Sequence, residues 1–61
     1  MQTVAKDLQP GTIMMTGERL VSVSQMYNIT SAKHTTIVVL EKSNGNRRQG
    51  VWSSNTVIFH R

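Results

Sequence analysis

A chain of 61 residues buries only about 60% of the surface its unfolded form exposes, which leaves room for one modest core and excludes a second domain. Cysteine is absent, so disulfide frameworks and thiolate metal sites are excluded, and the stability of so small a chain must come from packing or from a partner. The net charge of +4 and the isoelectric point near 10.4 direct the protein toward polyanions or acidic protein surfaces.

Residues 1–11 read as a lead-in, a short strand or helical turn around Val4 to Leu8 followed by the turn Pro10-Gly11. Proline presets φ at the first central position of such a turn and glycine accepts positive φ at the second. From Thr12 onward, short β-branched runs are bounded by glycine, asparagine or serine, the pattern of a compact all-β domain. The predicted strands are Thr12 to Thr16, Arg19 to Tyr27, His34 to Lys42, Gln49 to Ser53 and Thr56 to Arg61.

The strongest local signal is Ser43-Asn44-Gly45-Asn46, since Asn-Gly between strands supplies the two positive-φ positions of a type I′ hairpin turn. That turn would place Lys42 opposite Arg47, Glu41 opposite Arg48, Val39 opposite Gly50, Val38 opposite Val51 and Ile37 opposite Trp52. Both faces of this hairpin are then apolar near its base, which favours a closed barrel or a sheet covered by a partner. The expected fold is a single all-β domain over 1–61, with residues 12–61 forming a small five-stranded antiparallel SH3-like barrel. Its expected core is Ile13, Leu20 or Val21, Val23, Ile37, Val39, Val57 and Phe59.

Chemistry is sparse. Asp7, Glu18 and Glu41 each neighbour a basic residue, which suits surface ion pairs better than acid–base work. His34 and His60 alone fall short of the three or four ligands zinc takes. Neither a nucleophile elbow nor a phosphate cradle occurs among the serines and the four scattered glycines. The expectation is therefore no enzyme activity, no metal and no cofactor.

What remains is charge. In residues 1–32, Lys6 and Arg19 are balanced in number by Asp7 and Glu18. In residues 33–61, Lys33, Lys42, Arg47, Arg48 and Arg61 face only Glu41. Lys42, Arg47 and Arg48 flank Asn44 and Asn46 on one hairpin tip, a composition suited to phosphate oxygens, and Lys33, His34 and Arg61 would extend it if the barrel brought those strand ends together.

Among the aromatics, Phe59 reads as core, Trp52 as core or contact residue, and Tyr27 as the most exposed. The leading expectation is a nucleic-acid-binding module acting on DNA, RNA or a nucleoprotein complex. The alternative is a protein-binding adaptor or inhibitor that docks on a larger acidic protein, with Trp52 or Tyr27 as anchor and Thr12 to Thr16 or Thr56 to Arg61 as a free edge. Self-association into a homo-oligomer is a third option. No run nears the roughly 18 apolar residues of a spanning helix and no secretory-signal pattern opens the chain, so the expected place is the cytoplasm, away from membranes.

The order Asp7-Leu8-x-Pro10-Gly11, an apolar run, Gly17 and then Leu20-Val21-Ser22-Val23 resembles the opening of SH3-like barrels of the translation-protein type. The amino-terminal domain of elongation factor P and the KOW modules of ribosomal and transcription proteins begin in this way. The resemblance implies a nucleic-acid or nucleoprotein partner. The chain lacks the glycine string of a full KOW motif, and its 42–48 loop lacks a lysine between glycines such as elongation factor P presents for modification. In size and opening it also resembles small accessory proteins encoded by bacteriophages.

Overall fold

A computed structural model describes residues 1–61. Its strands are β1 (Gln2–Val4), β2 (Arg19–Asn28), β3 (Lys33–Glu41), β4 (Arg47–Ser53) and β5 (Val57–Phe59), with a 3₁₀ turn at Ala5–Asp7. The chain is all-β with antiparallel pairing throughout, but the strands form two sheets and not one closed barrel. β2, β3 and β4 make a three-stranded meander, and β1 pairs with β5.

The first predicted strand is not one. Thr12 to Thr16 contributes only isolated bridges, Ile13 to Arg19 and Met14 to His60. The reason is local: the Gly17 N–H donates to the Met14 carbonyl at 2.9 Å and the Met14 N–H to the Glu18 carbonyl at 2.8 Å, so the chain is already reversing where a strand would have to run. The lead-in takes its place, with Thr3 opposite Ile58 and Val4 opposite Val57. The Pro10-Gly11 turn forms as expected, closed by Thr12 N–H to the Gln9 carbonyl at 3.3 Å with Gly11 at φ +98°.

The β3–β4 hairpin differs from the type I′ expectation by one residue. Of its turn residues only Gly45 has positive φ, +87°; Asn44 does not. The Gly45 N–H donates to the Lys42 carbonyl at 2.9 Å and the Lys42 N–H to the Asn46 carbonyl at 2.8 Å. This is a three-residue loop, a type I turn followed by a left-handed glycine that forms a bulge. Lys42 therefore faces Asn46, and the ladder continues with Glu41 opposite Arg47, Leu40 opposite Arg48, Val38 opposite Gly50, Ile37 opposite Val51 and Thr36 opposite Trp52.

Side chains alternate along β3, and the face that packs inward carries Thr36, Val38 and Leu40, each at most 1% exposed. They meet Leu20 of β2, and the second layer supplies Ala5, Leu8, Met14 and Ile58. Each large buried side chain contributes about 1.5–3 kcal/mol by leaving water. Val23 and Trp52 are half-buried against this cluster.

Ile37, Val39, Val57 and Phe59 are not core. Ile37 and Val39 line the outer face of the meander half-exposed, and Val57 and Phe59 point outward from β5 at 47% and 64% exposure. Ile13 is half-buried. Of the pair Leu20 and Val21, Leu20 is the buried one, because a bulge lies between Leu20 and Ser22 and Val21 is the extra residue it leaves without a partner.

The layers are joined by polar side chains that leave nothing buried and unsatisfied. Thr36 Oγ1 donates to Gln25 Oε1 at 2.9 Å and lies 3.2 Å from Ser54 Oγ. With the Thr36 proton committed to Gln25, the Ser54 hydroxyl is the donor in the second bond. Ser54 is also tied by its N–H to the His34 carbonyl and by its carbonyl to the Lys6 N–H. Buried His60 has Nδ1 2.9 Å from the Arg61 carbonyl and Nε2 2.7 Å from Thr3 Oγ1. A carbonyl only accepts, so Nδ1 carries the proton and Thr3 donates to Nε2 in the neutral ring. No helix is long and apolar enough to cross a membrane.

Candidate functional site

The three-residue loop sets the geometry of the basic end. It puts Arg47 directly across from Glu41, and the β2–β3 ladder puts Arg19 on the other side of the same glutamate. Arg47 Nε donates to Glu41 Oε2 at 2.8 Å and Arg19 Nη2 to Glu41 Oε1 at 3.3 Å. Both guanidinium side chains are more than half exposed.

Arg48 lies opposite Leu40 on the inner-facing side of β4, where apolar burial has no place for a charge, and it reaches instead to the turn before β2. There Arg48 Nε donates to Glu18 Oε2 at 2.7 Å and Nη2 to Glu18 Oε1 at 2.9 Å, a bidentate pair of the kind that fixes direction as well as charge. The Thr16 hydroxyl adds a bond to Glu18 Oε1 at 2.9 Å.

These contacts set the protonation of both carboxylates. The Arg48 hydrogen bonds first, then Thr16, hold Glu18 down to about 2 against the opposing effect of burial. Arg47 is the main cause of a lowered Glu41. The bond to Glu18 in turn raises Arg48. A carboxylate so acidic, with both oxygens occupied, is a poor proton acceptor at neutral pH, so Glu18 and Glu41 serve here as braces for arginines.

Four cations, Arg19, Lys42, Arg47 and Arg48, thus surround two carboxylates, leaving the end positive. Each arginine keeps N–H groups that its carboxylate does not use. A shallow depression of about 350 Å³ runs between Thr16, Gly17, Glu18, Lys42 and Ser43. Arg61 joins this end by its backbone, donating its N–H to the Ile13 carbonyl at 2.9 Å, next to the Ile13–Arg19 bridge.

Of the residues expected at the site, Lys42, Arg47 and Arg48 share the hairpin end, Arg47 on the outer face and Arg48 on the inner one, Arg61 approaches it through its backbone alone, and Lys33 and His34 lie elsewhere. Those two begin β3, about 25 Å along the strand from Glu41 at roughly 3.3 Å per residue. His34 there stacks at a tilt on Tyr27, ring centres 4.5 Å apart, above a polar depression of about 390 Å³ lined by Lys6, Asp7, Gln25, His34, Ser54 and Asn55. Tyr27 is 51% exposed and Trp52 half-buried across from Thr36. Neither sits among the cations.

Arg19 and Glu18 were missed as members of the site because they cancel as sequence neighbours. In the fold Glu18 serves Arg48 and Arg19 serves Glu41. The signal that could have found Arg19 is the β2–β3 register, which opposes it to Glu41. Of the expected free edges, Thr12 to Thr16 is tied at two points, the Thr12 carbonyl accepting from the Leu20 N–H and the Ile13 carbonyl from Arg61, while in Thr56 to Arg61 the strand β5 pairs with β1 alone. No group of three or more His, Cys, Asp or Glu side chains converges anywhere to hold a metal. No protein-family model, no curated protein and no solved structure matches the chain.

Proposed function

We propose that this protein is a small, non-catalytic module that grips the phosphate backbone of nucleic acid, free or within a nucleoprotein complex, through Arg19, Lys42, Arg47 and Arg48, with Arg61 beside them. The observation that carries this reading is the bracing of three arginines by Glu41 and Glu18. Side chains already held by carboxylates lose less rotamer freedom on meeting a phosphate than free ones would, and their unused N–H groups match phosphate oxygens. The likeness of the Pro10-Gly11 and Gly17 segments to SH3-like translation modules points the same way and belongs to this proposal.

Neither Tyr27 nor Trp52 stands among Arg19, Lys42, Arg47 and Arg48, so this end lacks the interleaved rings of the stacking platform that single-strand binders use. The reading therefore favours double-stranded or otherwise base-paired nucleic acid, held by shape and charge and without sequence preference. Docking on an acidic protein is the alternative that the same charges support.

Binding to a duplex at increasing salt tests the proposal. Three or four phosphate contacts give a slope of log affinity against log salt of about −3, and a Lys42→Ala, Arg47→Ala double substitution flattens it by about 2. Unchanged affinity and slope in that variant refute the reading. Arg48 is spared in this design because its loss strands Glu18; the Arg47→Ala, Arg48→Ala pair serves as a second, harsher comparison.

A further inference from the structure

We infer that β4 is a self-complementary edge through which two copies of this chain pair antiparallel, joining their meanders into one six-stranded sheet. The inference is independent of nucleic-acid binding.

The β4 ladder faces β3 on one side only, since the meander ends with β4. Backbone groups alternate along an antiparallel strand, and the bonds Lys42 to Asn46 and Ser54 to His34 set the phase. The even-numbered residues 48, 50 and 52 bond to β3, so the N–H and C=O groups of Arg47, Gln49, Val51 and Ser53 point away. Apart from the Ser53 carbonyl, which accepts from Thr56, none of these takes part in any of the turn, loop or inter-layer backbone bonds.

Proteins ordinarily blunt such an edge with charges, a proline, a bulge or a covering loop, and the two charges β4 carries, Arg47 and Arg48, are both drawn into pairs with Glu41 and Glu18. β2 has both of the last two at its start, a bulge after Leu20 and the Gly11–Thr12 segment bonded along Leu20. β4 has neither, and no proline.

The sequence of the strand suits a second copy of itself. β4 is seven residues with Gly50 at its centre. Antiparallel pairing about Gly50 overlaps the whole strand, gives partners to the outward groups still unpaired, and sets Arg47 against Ser53, Arg48 against Trp52 and Gln49 against Val51 of the second copy. No arginine meets an arginine, and Arg48 meets an indole, a favourable neighbour for a guanidinium. The two basic ends fall at opposite ends of the joint.

Val51, 60% exposed, would extend the half-buried outer stripe of Ile37 and Val39 across the seam. The isolated chain has surface to lose. Its accessible area is 4292 Å², against about 4,000 Å² for a folded monomer of this mass, and its shape is a slab with a shortest Cα extent of 14 Å.

Sedimentation equilibrium over a wide concentration range, in nuclease-treated protein at high salt where phosphate contacts are screened, reads the oligomeric state. The expected result is a twofold rise in mass with concentration that Val51→Pro abolishes, because that proline removes an outward N–H and no bond to β3. Monomer at every concentration overturns the inference, as does a dimer that a folded Val51→Pro variant still forms.

Register-specific crosslinking covers the case of a Val51→Pro chain that does not fold. The protein has no cysteine of its own. Gln49→Cys and Val51→Cys chains mixed and oxidised should give a disulfide-linked heterodimer, while each alone should give far less. Equal crosslinking of each variant with itself, or none in the mixture, overturns the inference.

Discussion

Arg48, on the inner-facing side of β4, closes a two-point hydrogen-bonded pair with Glu18, 30 residues earlier in the chain. The contact ties the far end of the meander to the turn that precedes it, and it does so with a carboxylate held down to about 2.

This pairing makes stability depend on acid. Glu18 binds its proton less tightly in the folded chain than at its ordinary value of 4.5, so its contribution is complete above about pH 4.5 and is lost as pH falls toward 2. Glu41 shifts in the same direction and adds to the same window. Urea midpoints measured from pH 7 to pH 2 should fall across it, and Glu18→Gln should flatten the decline while lowering the midpoint at neutral pH. A variant with an unaltered acid profile contradicts the assignment.

The core can be checked by two truncations whose effects should differ widely. Leu40→Ala removes a side chain 1% exposed and should cost about 2–5 kcal/mol. Phe59→Ala removes a larger ring that is 64% exposed and should cost under about 1 kcal/mol. Denaturant unfolding of both variants tests the inner and outer faces directly, and a larger loss at Phe59 contradicts the packing described.

Ala32 has φ +53° in the loop between β2 and β3, a left-handed conformation that costs an L-residue roughly 1–2 kcal/mol. The loop is held there by Asn28, whose Oδ1 accepts from the N–H groups of Thr30 and Ser31. Ala32→Gly should stabilise the chain by about 0.5–1 kcal/mol, the relief of strain exceeding the added freedom of the unfolded state. A thermal midpoint that falls in this variant contradicts the loop geometry.

The all-β class and three long strands were legible from β-branched runs and turn residues, because these are local signals. The parity of β3 was not. Thr35, Ile37 and Val39 are as apolar as Thr36, Val38 and Leu40, so alternation alone offers no choice between the faces, and the choice of Ile37 and Val39 fell on the wrong one. The one-residue difference at Asn44-Gly45 then moved every partner on β4, since side chains alternate with a period of two.

The lead-in was illegible for another reason. β1 is three residues long and finds its partner 53 or more positions away, a pairing that no local pattern announces. Of the basic site, Lys42, Arg47 and Arg48 were legible as one loop, whereas the exclusion of Lys33 and His34 needed the length of β3.

The central claim is that the end carrying Arg19, Lys42, Arg47 and Arg48 meets phosphate. Amide and arginine side-chain spectra recorded while a short duplex is added at low salt test it most directly. The account predicts shifts in the Nε–H signals of Arg19, Arg47 and Arg48 and in the amides of residues 42–48, reversed by added salt. Spectra that do not move, or that move only around Tyr27 and His34, contradict it.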